Sequence, residues 1–213
     1  MGYEPRIASA LSGVTVGQLS YWRRTGLFTP EISKRPALYS FRDLVALRTF
    51  AKLRSARTLQ KIRKALKKLH EVGAGEHLSA CKLIDQGRKG IVLVSPDGRE
   101  GVELVERPGN LVTVIQLGEM VKPFPLDDIE VPDLFQPRKR ISVDPAVRGG
   151  HPVVKGTRVP FDVVAGLVRD GVPLNEISDF YPSVTADAAH DAAEFADYVD
   201  LSAQRRARRR WAA

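Results

Sequence analysis

The chain has 213 residues, with 33 Lys/Arg against 25 Asp/Glu, a formal net charge of +8 and a pI near 9.8. A single cysteine, Cys81, excludes an internal disulfide framework and any multi-cysteine zinc site, and no apolar run reaches the roughly 20 residues that span a bilayer. The polar start with Glu4 and Arg6 reads as that of a cytoplasmic protein, and the basic excess points to nucleic acid or another acidic partner.

Pro5 to Leu11 reads as a short helix with proline in its first turn, where the missing N–H costs nothing. Ser12-Gly13-Val14 is a tight turn, and Thr15 is a suitable N-cap for a second helix over Val16 to Arg24. Val16, Leu19 and Trp22 recur at helical spacing on its inner face, which leaves Gln18, Ser20, Tyr21, Arg23 and Arg24 on the outer faces. Two short helices joined by a glycine turn are a helix-turn-helix signature. Thr29 to Ser40, with Lys34 and Arg35, suits a small wing, and Ser40 with Asp43 opens a third helix running to about Arg57. A fourth helix is expected from Thr58, with Leu59, Ile62, Leu66 and Leu69 on one face.

The texture then turns to strands. Ile91–Val94, Val102–Val105 and Leu111–Ile115 are β-branched runs separated by proline–glycine turns, and Cys81–Ile84 adds a further candidate, so an antiparallel meander is expected. Lys122 to Arg140, with four prolines, reads as an extended connector. From Ile141 a last module follows, with glycines at 149, 150 and 156 and helical patterns over Phe161–Asp170, Pro173–Phe180 and Thr185 to about Ser202. The expected fold class is α+β, divided as a winged helix-turn-helix head (1–73), a meander (74–121), a proline-rich linker (122–140), a helical module (141–203) and an arginine-rich tail (204–213).

Charge is segregated along this order. Residues 1–68 hold 15 basic and three acidic residues, whereas residues 69–203 hold 13 basic and 22 acidic ones, and the tail adds five arginines. Because the basic block coincides with the helix-turn-helix pattern, double-stranded operator DNA is the expected partner. The residues expected at that interface are Thr15, Gln18, Ser20, Tyr21, Arg23 and Arg24 on the helix and Lys34 and Arg35 in the wing. Residues 171–203 carry seven acidic residues and no basic one, so a second recognition helix there would be repelled by phosphates, and a protein contact is expected instead. His190 with Asp187, Asp191 and Glu194 shares one helical face, which reads as an amphipathic helix's polar side rather than a metal site. No phosphate loop, nucleophile elbow or paired-carboxylate motif is present, so neither catalysis nor a cofactor is expected.

Ser12-Gly13-Val14-Thr15, Leu19, Tyr21-Trp22, Gly26-Leu27-Phe28 and Pro30, followed by Tyr39-Ser40 and Asp43-Leu44, resemble the opening of MerR-type winged helix-turn-helix regulators, with Ser20 where that family usually carries Arg. Gly156-Thr157-Arg158-Val159-Pro160, with Gly171-Val172-Pro173, Glu176-Ile177 and Tyr181-Pro182, resembles a domain family of unknown function associated with toxin–antitoxin pairs. Together the two resemblances imply a VapB-type antitoxin that binds its operator as a homodimer and neutralises a PIN-like ribonuclease. Under that implication the tail residues Arg205, Arg206, Arg208, Arg209, Arg210 and Trp211 are candidate toxin contacts, since guanidinium groups pair bidentately with the carboxylates of such a nuclease. Solvation of a free end and a supporting role on DNA are the other readings of the tail. The alternative function is a MerR-like regulator that senses a small molecule.

Overall fold

The computed structural model describes residues 2–56, 82–85, 91–94, 100–103, 111–113 and 121–205. Pro5 opens helix α1 (Pro5–Ser12), and Gly13 closes it in the left-handed region at φ 80°, its N–H bonding back to the Ser9 carbonyl. Helix α2 (Val16–Arg24) follows after three residues, and strands β1 (Ser33–Lys34) and β2 (Ala37–Leu38) pair antiparallel as a small wing before helix α3 (Phe41–Ala56). Leu11, Leu19, Trp22, Phe28, Leu47 and Phe50 fill the space between these three helices. The fourth helix expected from Thr58 lies outside the described residues.

Strands β3 (Lys82–Asp85), β4 (Ile91–Val94), β5 (Glu100–Glu103) and β6 (Leu111–Thr113) form one antiparallel sheet in sequential order, which is the expected meander. The protein is α+β, with six α-helices and four antiparallel sheets among the described residues.

The proline-rich stretch departs from the extended connector that composition suggested. Strands β7 (Phe124–Leu126) and β8 (Ile129–Val131) make a hairpin, with Asp127 in the left-handed region at its turn. Phe124, Leu126 and Val131 are buried, while Pro125 points outward on a two-stranded ribbon, where a missing N–H breaks no central ladder. The hairpin lies on the turn between α1 and α2. A Cβ at Gly13 would stand 2.6 Å from Val131 and 2.7 Å from Leu126, so only glycine fits beneath it.

Strand β9 (Ile141–Ser142) pairs with β10 (Val153–Val154), and the Gly156-to-Pro160 motif turns the chain back into helix α4 (Phe161–Arg169). Thr157 builds that turn: its hydroxyl donates to the Val154 carbonyl and accepts the Val159 N–H, both at 2.9 Å. A 3₁₀ turn (Leu174–Glu176) and the short α5 (Ile177–Phe180) lead to the long α6 (Ala186–Gln204), capped by Thr185. Ala188, Ala192, Phe195, Ala196 and Val199 form the buried face of α6, as its sequence pattern predicted.

Helix α6 packs on α4 and on α1, so the two ends of the described chain share one continuous core. The seam between them is built from backbone carbonyls and long side chains. Helix C-termini leave carbonyls without partners, and at α1 these are met from far along the chain. Arg48 of α3 donates to the Leu11 carbonyl and, from its other nitrogen, to the carbonyls of Lys122 at 2.7 Å and Val121 at 3.1 Å. The Tyr198 hydroxyl lies 3.3 Å from the Ala10 carbonyl and 3.2 Å from that of Glu130, and Arg205 donates to the Gly13 carbonyl at 3.4 Å. Arg48 is fully buried, with its guanidinium 5.1 Å from the centre of the Phe124 ring; burial pulls its pKa down to about 10, still charged at neutral pH. At the other edge of the seam, Tyr3 pairs by backbone with Tyr39, and its ring fills the space in which Gly150 lacks a side chain.

Candidate nucleic-acid interface

The α2 helix is held by a reciprocal cap. The Thr15 hydroxyl accepts the Gln18 N–H at 3.3 Å, and the Gln18 side-chain oxygen accepts the Thr15 N–H at 3.0 Å. That arrangement satisfies two donors that a helix start otherwise leaves open and is worth about 1 kcal/mol. It also draws both side chains inward: Thr15 and Gln18 are buried, which corrects the expectation that Gln18 lies on the outer face. Leu19 and Trp22 form the inner face, and Trp22 meets Phe50 edge-on at 5.9 Å between ring centres. Phe28 joins the same aromatic cluster between Phe50 at 5.7 Å and Tyr39 at 6.5 Å. Burial pushes the Tyr39 hydroxyl up to about 12, so it stays neutral through the physiological range.

The outer stripe that remains runs through Gly17, Ser20, Tyr21 and Arg24, one helical face at three- and four-residue spacing. Gly17, Tyr21 and Arg24 are exposed; Ser20 and Arg23 are half-buried. Arg23 spends one nitrogen on the wing, donating to the Lys34 carbonyl at 3.1 Å. This bond fixes the wing relative to α2 and leaves Lys34 and Arg35 exposed at its tip. The wing's return into α3 is pinned by Asp43, whose carboxylate accepts the N–H groups of Glu31 and Ser40 at 2.9 Å each. Burial, the largest influence, raises the Asp43 pKa; those two backbone donors oppose it.

Six of the eight expected interface residues therefore lie wholly or partly at one surface, and two are structural. Arg42, exposed one residue into α3 at the foot of the wing, is a further cation there that the sequence pattern did not single out. Of the tail contacts, Arg205 belongs to the seam, and Arg206, Arg208, Arg209, Arg210 and Trp211 lie outside the described residues.

The body carries the opposite charge, and on α6 four of its carboxylates are paired within the chain. Arg140 pairs with Asp187 and, at 3.6 Å, with Asp191, whose carboxylate also accepts the Arg140 N–H at 2.8 Å. Arg169 bridges Asp197 and Asp200 at 2.8 and 2.9 Å, and Arg6 of the head reaches Asp200 as well. His190, Asp191 and Glu194 approach one another closely enough to face a cation, but Asp191 is committed to Arg140.

Residues 3–69 match the family model described as MerR HTH family regulatory protein. The described part of that match, residues 3–56, folds as a MerR-like helix-turn-helix with its wing. Residues 141–196 match a second model, a protein family of unknown function (DUF433). Among curated relatives, an HTH-type transcriptional regulator of Mycobacterium tuberculosis, Rv1830, is 35% identical over 93 residues, 41% of each chain. A Sinorhizobium fredii protein, y4eO, is 35% identical over 74 residues, 35% of this chain and 34% of its own. The chain thus spans about two fifths or less of the curated relatives it matches. The crystal structure of Rv2018 from Mycobacterium tuberculosis is similar at 26% identity and a TM-score of 0.49, over 90% of this chain and 96% of that one. Among the described residues, no helix is long and apolar enough to cross a membrane.

Proposed function

We propose that this protein is a transcription regulator that binds operator DNA through its MerR-type domain and acts as the antitoxin of a type II toxin–antitoxin pair. One observation carries the DNA-binding reading. The exposed stripe of α2 and the basic tip of the wing are locked together by the Arg23–Lys34 bond, which presents Tyr21, Arg24, Lys34 and Arg35 as a single cationic surface. Short polar and aromatic groups suit base edges in a major groove, and the wing cations suit flanking phosphates. A homodimer on a palindromic operator gives each MerR-type domain one half-site. The protein acts in the cytoplasm, with no catalytic role and no cofactor.

The antitoxin part is supported by the resemblance of residues 142–199 to domains found beside PIN-like ribonucleases. In that reading Arg206, Arg208, Arg209, Arg210 and Trp211 engage the nuclease's carboxylates. Co-expression with the neighbouring PIN-like protein should give a stable complex and abolish toxicity. Removing residues 206–213, which spares the Arg205 contact with Gly13, should break that complex and leave operator binding intact. Persistent toxicity with no complex overturns the antitoxin role and leaves DNA binding standing.

A cleft of about 170 Å³ between α1, α4 and α6 favours a second reading, regulation by a small effector. Its walls are mixed: Ile7, Phe161, Ala165 and Val199 are apolar, and Glu4, Arg6, Asp162, Arg169 and Asp200 are charged. Operator affinity that changes with a small molecule, in the absence of a toxin neighbour, would establish that reading in place of the first.

A further inference from the structure

We infer that the phosphate-binding surface continues past the wing onto the segment after the β7–β8 hairpin and the start of the C-terminal module, where Lys139 and Lys155 hold the DNA backbone; this rests on the DNA-binding reading above. The wing's foot is seated on that region at two places. Phe41, the first residue of α3, stacks on Phe135 with ring centres 5.6 Å apart and an interplanar angle of 29°, and Tyr3, paired with Tyr39, packs against Gly150. Phe135 is 46% exposed, so the stack lies at the surface rather than in the core. Arg42 follows Phe41 in sequence and Gln136 follows Phe135, and both are exposed.

Gln136 organises the two lysines. Its side-chain nitrogen donates to the Lys139 carbonyl at 2.8 Å, and its side-chain oxygen accepts from the Lys155 ammonium at 3.2 Å. Both lysines are exposed, and among the described residues neither forms an ion pair. The neighbouring Arg140 makes the contrast, since it is paired with Asp187 and Asp191. The acids that flank Lys139 in sequence turn to backbone donors: Asp133 accepts the N–H groups of Phe135 and Gln136, and Asp144 that of Ala146, all at 2.9 Å. Among the described residues the side-chain anchor of Lys155 is this neutral amide, which positions it without cancelling its charge. Lysine in that condition is a point charge suited to phosphate oxygens. The Phe41–Phe135 stack brings the start of α3 to the segment that carries Gln136, and the inferred phosphate path runs from the wing past Arg42 to the two lysines.

The test is the salt dependence of binding by the full chain to a mixed-sequence duplex of about 30 bp, between about 50 and 200 mM salt, where each phosphate contact contributes about 0.9 to the slope of log K against log salt. Lys139→Ala with Lys155→Ala should lower that slope by about 2 and weaken binding several-fold. Replacing both by Arg should restore the slope. Arg169→Ala, which removes one charge from the paired acidic side, should leave it unchanged. An unchanged slope in the lysine variant, while Arg24→Ala still weakens binding, overturns this inference alone. Absence of salt-dependent binding by the unmodified protein overturns the DNA reading and this inference together. Equal losses in the lysine and Arg169 variants would show a response to net charge only and would also overturn it. Thermal unfolding of each variant separates these results from loss of fold.

Discussion

The head and the last helix carry opposite charges, and they differ more in what the charges touch than in their sign. On the head, Arg24, Lys34, Arg35 and Arg42 stand exposed, and the nearby carboxylates of Asp43 and Glu31 are held by backbone and Ser40 donors. On α6, Asp187, Asp191, Asp197 and Asp200 are all met by arginines from elsewhere in the chain. Segregation along the sequence thus becomes neutralisation in one region and an open cationic surface in the other. A run of acidic residues need not seek an outside partner when the fold returns cations to it.

Breaking the seam between the two regions should have the largest effect. Arg48→Met leaves three carbonyls without their donor and should cost about 3–5 kcal/mol, read as a fall in the unfolding midpoint of about 6–15 °C. Arg24→Ala and Arg169→Ala sharpen the comparison directly. The first should lower duplex affinity about tenfold with stability held within about 0.5 kcal/mol. The second should cost stability by at most about 1 kcal/mol and leave duplex affinity unchanged. Equal effects of the two on DNA would erase the distinction between the surfaces.

Thr15→Ala removes half of the reciprocal cap and should cost about 1 kcal/mol in chemical denaturation, with no change in the salt slope of DNA binding. The smallest effect is expected at the edge of the body, where the His151 side chain 3.3 Å away holds the Asp162 carboxyl below its ordinary range. Its folded pKa is depressed, so its contribution is complete above about pH 5 and is lost as pH falls through the depressed value. Asp162→Asn should flatten that acid limb of the stability profile and leave stability near pH 7 almost unchanged.

Much of the head was legible because its signals are local. Pro5, Gly13, the Thr15 cap and the Leu19–Trp22 spacing each act within one helical turn, and the helix boundaries follow from them. The inward orientation of Gln18 was not legible by polarity, because its partner is the backbone of Thr15. The hairpin at 124–131 was obscured by prolines that suit an exposed edge as well as they suit a linker. Arg48 offered no signal at all: its hydrogen-bond partners include the carbonyls of Leu11, Val121 and Lys122, which no periodicity connects. On the candidate interface, Tyr21, Arg24 and the wing cations could be named from residue type and position. The approach of the segment carrying Gln136 to the start of α3 could not, because it rests on the stack of Phe41 on Phe135.

The carbonyl end of α1 has a consequence for the order in which the molecule matures during synthesis. The donors that complete it lie 37, 188 and 192 positions further on, at Arg48, Tyr198 and Arg205. A nascent chain therefore displays its helix-turn-helix long before the groups that finish it leave the ribosome. Synthesis must reach Arg205 before the last of these donors can meet the turn between the two head helices.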